Sequence, residues 1–240
     1  MEDLQTWRAT RRATLLSVRL AINAGERQRG TDAIHAHLRA ALPTVRGLTV
    51  SYYVPFRGEP DLRPLLDDWR AAGAATALPV VLGPGQPLEF RLWWPGAPVV
   101  KGAFSLPMPD GTPLVMPQVV LIPPVGFDEH GYRLGNGGGY FDRTLAALTP
   151  APLKIGVAFE VTRIATIRPQ RYDIAMDYII TEAGLYRVQA NGLERLNAGT
   201  AIDAQHPGLA ASLRVDNGQP HDLRPYASSP CYAGEVSSDN

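Results

Sequence analysis

A chain of 240 residues, 45% hydrophobic and 19% charged, is long enough to bury one sizeable α/β core. Lys+Arg and Asp+Glu stand at 23 each, so no global charge draws it to nucleic acid or to an anionic membrane. The single cysteine, Cys231, excludes an intramolecular disulfide and a multi-cysteine metal site. No stretch nears the roughly 18 apolar residues of a membrane span. The opening MEDLQTWRATRRATLLSVRL lacks the apolar core and small-residue cleavage site of a secretory signal. The expectation is a cytoplasmic protein with no nucleic-acid and no membrane partner.

In chain order, Leu4 to Ala21 carries Leu4, Trp7, Leu15, Val18 and Ala21 at helical spacing, with arginines on the remaining faces. A second helix is predicted from Asp32 to Leu42, stopped by Pro43. LTVSYYV (48–54) is β-branched and aromatic and reads as a strand. Pro60-Asp61 opens a helix with Leu62, Leu65, Leu66 and Trp69 on one face, ending near Gly73. TALPVVL (76–82) and LEFRLW (88–93) are strands parted by Gly-Pro-Gly. QVVLI (118–122) is a short run apolar throughout, as expected of a strand covered on both faces. A helix over 140–148 and strands at 154–159 and 178–181 follow. Alternating strands and helices predict a three-layer α/β/α domain around a mostly parallel or mixed sheet. The periodicity fades after Gln189, so residues 1–188 are expected to form the main folded domain and 189–240 a partly flexible extension.

The most informative stretch is PPVGFDEHGYRLGNGGGYFDR (123–143), a glycine-rich loop between a strand and a helix. Glycines let the backbone approach a phosphate closely, and a helix N-terminus adds positive partial charge. Two better-known loops are excluded. Gly139 is followed by Tyr140-Phe141 rather than Lys-Ser/Thr, and a dinucleotide fingerprint starting at Gly135 would need glycine where Tyr140 stands.

Gly126-Phe127-Asp128, then Gly131 through Arg143 (GYRLGNGGGYFDR), resembles the signature of the 5-formyltetrahydrofolate cyclo-ligases. Phe141 replaces the family's second tyrosine, and Gly138 occupies a position often held by lysine. The resemblance extends more weakly over residues 4–188. Arg8 and Arg12 match an N-terminal basic pair, and Glu59 matches a substrate-facing glutamate. RPQRYDIAMDYIITE (168–182) matches a late segment, with Tyr172 in place of a histidine.

This resemblance implies an α/β/α fold and ATP- and Mg²⁺-dependent closure of 5-formyltetrahydrofolate to 5,10-methenyltetrahydrofolate, releasing ADP and phosphate. ATP would contact Arg8, Arg12, Arg133, Leu134, Gly135, Asn136, Gly137, Gly138, Gly139 and Tyr140. Folate would contact Val54, Glu59 and Tyr140, and Asp142 and Asp173 would hold Mg²⁺. Asp177 reads as structural, and a monomer is expected. Two alternatives stay open: a non-catalytic folate- or nucleotide-binding relative, which the Tyr172 and Phe141 departures favour, and a sugar-phosphate enzyme of similar layering.

Overall fold

The computed structural model describes residues 3–102, 105–202, 206 and 209. Helix α1 (Leu4–Ala21) starts on Asp3, whose carboxylate accepts from the Thr6 N–H, and it buries Trp7, Leu15 and Arg19. Helix α2 (Ala24–Ala41) begins at Ala24 rather than at the expected Asp32. Asn23 caps it by accepting from the Glu26 N–H at 2.9 Å. That cap starts the helix within a polar, glycine-containing stretch that shows no apolar periodicity.

The remaining elements are β1 (Thr49–Ser51), α3 (Arg63–Ala71), β2 (Ala75–Val81), β3 (Leu88–Leu92), β4 (Val99–Lys101) and β5 (Pro107–Pro109). They continue as β6 (Val119–Ile122), β7 (Gly126–Asp128), β8 (Arg133–Leu134), α4 (Tyr140–Ala147) and β9 (Leu153–Val157). The chain then forms β10 (Arg163–Ile164), β11 (Tyr178–Thr181), β12 (Gly184–Gln189) and β13 (Gly192–Arg195). The main sheet has eight strands in the order β13-β12-β11-β9-β6-β1-β2-β3. Its centre, β11-β9-β6-β1-β2, is parallel, and β3, β12 and β13 add antiparallel edges. The mixed α/β sheet is the expected class.

Register explains why β6 reads as an unbroken apolar run. Val119 and Leu121 face a core built with Ile34 and Leu38 of α2 and Leu65, Leu66 and Trp69 of α3. Val120 and Ile122 face the other core, where Leu145 of α4 and Leu148 pack. With both faces covered, no polar position is left to alternate. Each fully buried side chain of this size contributes about 1.5–3 kcal/mol.

Numbered along the chain, the five parallel strands stand in the order 2-1-3-4-5. The order reverses between β1 and β6, and in open α/β sheets a crevice forms beyond the carboxyl ends of the strands at such a point.

Past Gln189 the sheet continues. The β12–β13 hairpin, turned at Ala190-Asn191, crosses the expected 188/189 boundary, and the Ile202 N–H donates to Ala41 O at 2.8 Å. A hairpin is specified by its ladder and turn, which leave little apolar pattern on an edge. The polar tail and Cys231 lie outside the described residues.

Candidate active site

A cleft of about 540 Å³ opens beyond the ends of β1 and β6. Tyr53, Val54, Phe56 and Glu59 follow β1 and form one wall, while Pro123 follows β6. Arg133, Gly135 to Gly139, Tyr140, Phe141 and Asp142 form the opposite wall, and Leu106, Pro107 and Met108 add an apolar side. Most of the expected phosphate loop and all of the expected folate residues therefore face one space. Leu134 is buried beneath it, against Leu15, Val125 and Ile167.

The glycine loop is positioned from below. Asp128, fully buried, accepts from the N–H groups of His130 and Tyr132 through Oδ1 and of Ile167 through Oδ2, each at 3.0 Å. These bonds shape the turn between β7 and β8. Gly131 in that turn has φ +75°, and a Cβ there would come within 2.4 Å of Val188, so only glycine fits. Asp128 carries no predicted role; its place in the Gly-Phe-Asp motif was the available signal. At the other end of the loop Gly139 is left-handed (φ 62°) and turns the chain into α4.

Arg133 leaves β8 with a side chain only 3% exposed. Its Nη1 donates to Ile174 O at 2.7 Å, and Asp142 Oδ1 lies 2.9 Å from its Nη2. That second approach is an ion pair whose N–H is poorly aligned, leaving a buried donor without a good acceptor at the cleft wall. Burial lowers the Arg133 pKa from its usual value, with Asp142 opposing the shift. Asp142 Oδ1 also accepts from the Ile174 N–H at 3.0 Å. A buried donor beside a row of glycines suits an anion.

Arg8, Arg12 and Asp173 stand apart from the cleft lining. Arg12 Nε donates to Gly135 O at 3.0 Å, bracing the loop from behind. Arg8 Nη2 reaches Asp173 Oδ2 at 2.5 Å and Arg168 O at 2.8 Å. Asp173 Oδ2 also accepts from the Gln170 N–H at 2.6 Å. Asp173 is thus neutralised by Arg8, while Asp142 faces the cleft. Asp177 accepts from Lys154 N and pairs with Lys154 Nζ, both at 2.8 Å, joining the starts of β9 and β11. Tyr172 is 57% exposed.

Beside Gly138, Arg143 Nη2 donates to the Gly138 carbonyl at 2.5 Å, and its guanidinium lies 5.4 Å from the Tyr140 ring centre. A cation therefore stands next to the position where a lysine is often found. On the far wall Glu59 is 6% exposed. Its Oε2 accepts from the Phe56 N–H at 3.0 Å, and Arg19 Nη2 lies 3.6 Å from Oε1. Burial pushes the Glu59 carboxyl up to about 7, with Arg19 pulling against it.

The model of the 5-formyltetrahydrofolate cyclo-ligase family matches residues 4–182. The chain belongs to this family. It is an enzyme of the ligase class. The cyclo-ligase of Mycolicibacterium smegmatis is 31% identical over 179 residues, covering 71% of this chain and 91% of that protein. The Escherichia coli K12 cyclo-ligase is 30% identical over 152 residues, covering 60% and 83% respectively. Among solved structures, the 5,10-methenyltetrahydrofolate synthetase of Aquifex aeolicus superposes with TM-score 0.64 at 27% identity, over 83% of this chain and 97% of that one. The Mycoplasma pneumoniae synthetase does so with TM-score 0.60 at 24% identity, covering 73% and 98%, and supports the fold alone.

Within this cyclo-ligase family member, residue-level reading missed Arg19 and the apolar wall at 106–108. Arg19 continues the stripe Arg8, Arg12, Leu15 at helical spacing, which was a usable signal. The wall belongs to the small β4–β5 ribbon, which leaves no strong pattern in the sequence.

Among the described residues no helix is long and apolar enough to cross a membrane.

Proposed function

We propose that this enzyme converts 5-formyltetrahydrofolate to 5,10-methenyltetrahydrofolate, consuming ATP and releasing ADP and phosphate. The observation that carries the proposal is the two-walled cleft. A glycine loop with buried Arg133 and Asp142 faces a buried carboxylate, Glu59, across a partly apolar space.

In this reading the triphosphate lies along the amides of Gly135 to Gly139, near Arg133, with Arg12 and Arg8 adding charge from α1. The pterin packs on Val54 and Tyr140 and donates its N–H groups to Glu59 Oε1, which accepts no hydrogen bond among the described residues. Among the described residues no group of three or more His, Cys, Asp or Glu could hold a metal unaided. That donor set fits magnesium, which takes one or two carboxylates and fills its shell with phosphate oxygens and water. Asp142 is the carboxylate we assign, and Asp173 joins it only by exchanging its Arg8 partner. Magnesium there would neutralise charge on the β- and γ-phosphates.

The protein's work is positioning and charge neutralisation. The formyl oxygen attacks the γ-phosphorus, the bond to the β,γ-bridging oxygen breaks, and ADP leaves. The N5 electron pair moves toward the formyl carbon, giving an iminium phosphate. N10 adds to that carbon and loses its proton, and the C–O bond breaks to release phosphate and leave the methenyl product. No protein nucleophile is needed. The proposal includes a monomer acting in the cytoplasm, without nucleic acid or membrane.

The test follows methenyltetrahydrofolate absorbance from 5-formyltetrahydrofolate, with and without ATP and magnesium. Product only when both are present supports the proposal. Binding of folate or nucleotide without turnover would overturn it in favour of a non-catalytic relative.

A further inference from the structure

Arg19 is 2% exposed, and its guanidinium is divided among three partners from different parts of the chain. Nη1 donates to Pro124 O and Nε to Arg57 O, each at 3.0 Å, and Nη2 stands 3.6 Å from Glu59 Oε1. Pro124 follows β6 and Arg57 follows β1, so one side chain on α1 ties together the two loops at which the strand order reverses. Arg57 is held in the left-handed region (φ 48°), a strained conformation for a non-glycine residue, and its carbonyl is the one that Arg19 Nε takes.

Nε and Nη1 of Arg19 each donate to a loop carbonyl, while Nη2 gives Glu59 its counter-charge without a close hydrogen bond. Oε2 is occupied by the Phe56 N–H, and Oε1 accepts no hydrogen bond among the described residues in a side chain that lines the cleft. A fixed cation at that distance favours the ionised carboxylate without capping the oxygen that a ligand would use. We infer that Arg19 is the positioning residue of the folate subsite: it locks the β1 and β6 loops together and holds Glu59 aimed at the donor edge of the pterin.

This inference rests on the folate reading of Glu59. The groups facing that carboxylate are Arg19 from α1, Tyr53 on its own segment, and Arg133 and Asp142 across the cleft. Arg27 and Arg57 lie around Arg19. Burial holds the Glu59 carboxyl at about 7 even with Arg19, the main opposing group, pulling it down. Without that cation the carboxyl would keep its proton to still higher pH and present a donor where the pterin needs an acceptor.

The experiment compares Arg19→Lys, Arg19→Met, Glu59→Gln and the Arg19→Met/Glu59→Gln pair by KM for each substrate and by calorimetric binding of 5-formyltetrahydrofolate across pH. Arg19→Met is expected to raise the folate KM on the order of tenfold, with the ATP KM within about twofold. The same variant moves the pH at which folate binding reaches half its maximum upward. Arg19→Lys keeps that pH near the wild-type value while losing the loop tie. On the Glu59→Gln background Arg19→Met no longer moves the pH profile, because the carboxylate it acted on is gone, while the loss of the loop tie remains. If Arg19→Met fails to fold, Arg19→Lys and Glu59→Gln still decide the case by the KM split and the pH profile. Equal losses for both substrates with an unmoved pH profile would overturn the inference and leave Arg19 a packing residue. A wild-type protein that forms no methenyl product would instead defeat the functional reading itself.

Discussion

The two walls of the cleft are built by different rules. The glycine-loop wall is one contiguous segment, Arg133 to Asp142, running from β8 into α4. The recognition groups we assign to it are backbone amides, which glycines expose locally, so spacing along the sequence largely defines it. The opposite wall is assembled from remote pieces. Glu59 follows β1, its counter-charge Arg19 sits on α1, and an apolar side comes from the β4–β5 ribbon. Phosphate binding by amides can be encoded within a single loop, whereas a buried carboxylate needs a fold around it to set its charge.

The sharpest way to break this comparison is Asp142→Asn. The amide can still accept from the Ile174 N–H but no longer balances Arg133 or binds a cation. Turnover should fall about 10²-fold or more, while stability drops by about 1–3 kcal/mol because the Arg133 guanidinium loses its counter-charge. Steady-state kinetics alongside thermal melting checks this. A melting collapse with normal turnover per folded molecule would make Asp142 a structural residue.

A smaller effect sharpens the other wall. In the fold Glu59 keeps its proton up to about pH 7, against an ordinary value of 4.5. The native state therefore binds more protons than the unfolded chain within that window. The Glu59 contribution to stability should be greatest below 4.5 and decline as pH rises to about 7, by about 1–3 kcal/mol. Denaturation midpoints at about pH 5 and about pH 8 measure the decline, and Glu59→Gln should flatten it. An equal slope in the variant would assign the pH dependence to other groups.

The smallest effect concerns Tyr172, which departs from the family's histidine but is 57% exposed. Tyr172→His should leave turnover within about twofold and stability within about 0.5 kcal/mol, as for most surface changes. A large gain in turnover would show that the departure had weakened the site.

The sequence by itself determined the family, the α/β class, the helix over Leu4–Ala21, the double-faced strand at 119–122 and the glycine loop. Each is written in local spacing: apolar period for the helix, unbroken apolarity for a strand covered on both sides, glycine density for a loop that turns sharply beside the cleft. Tertiary structure alone decided that Asp173 pairs with Arg8 while Asp142 faces the cleft. It also decided that α2 starts at Ala24, that β13 extends the sheet past Gln189, and that Arg19 stands behind Glu59. Which carboxylate meets which cation depends on strand order and burial, and charges far apart in sequence carry no record of that pairing until the sheet brings them together.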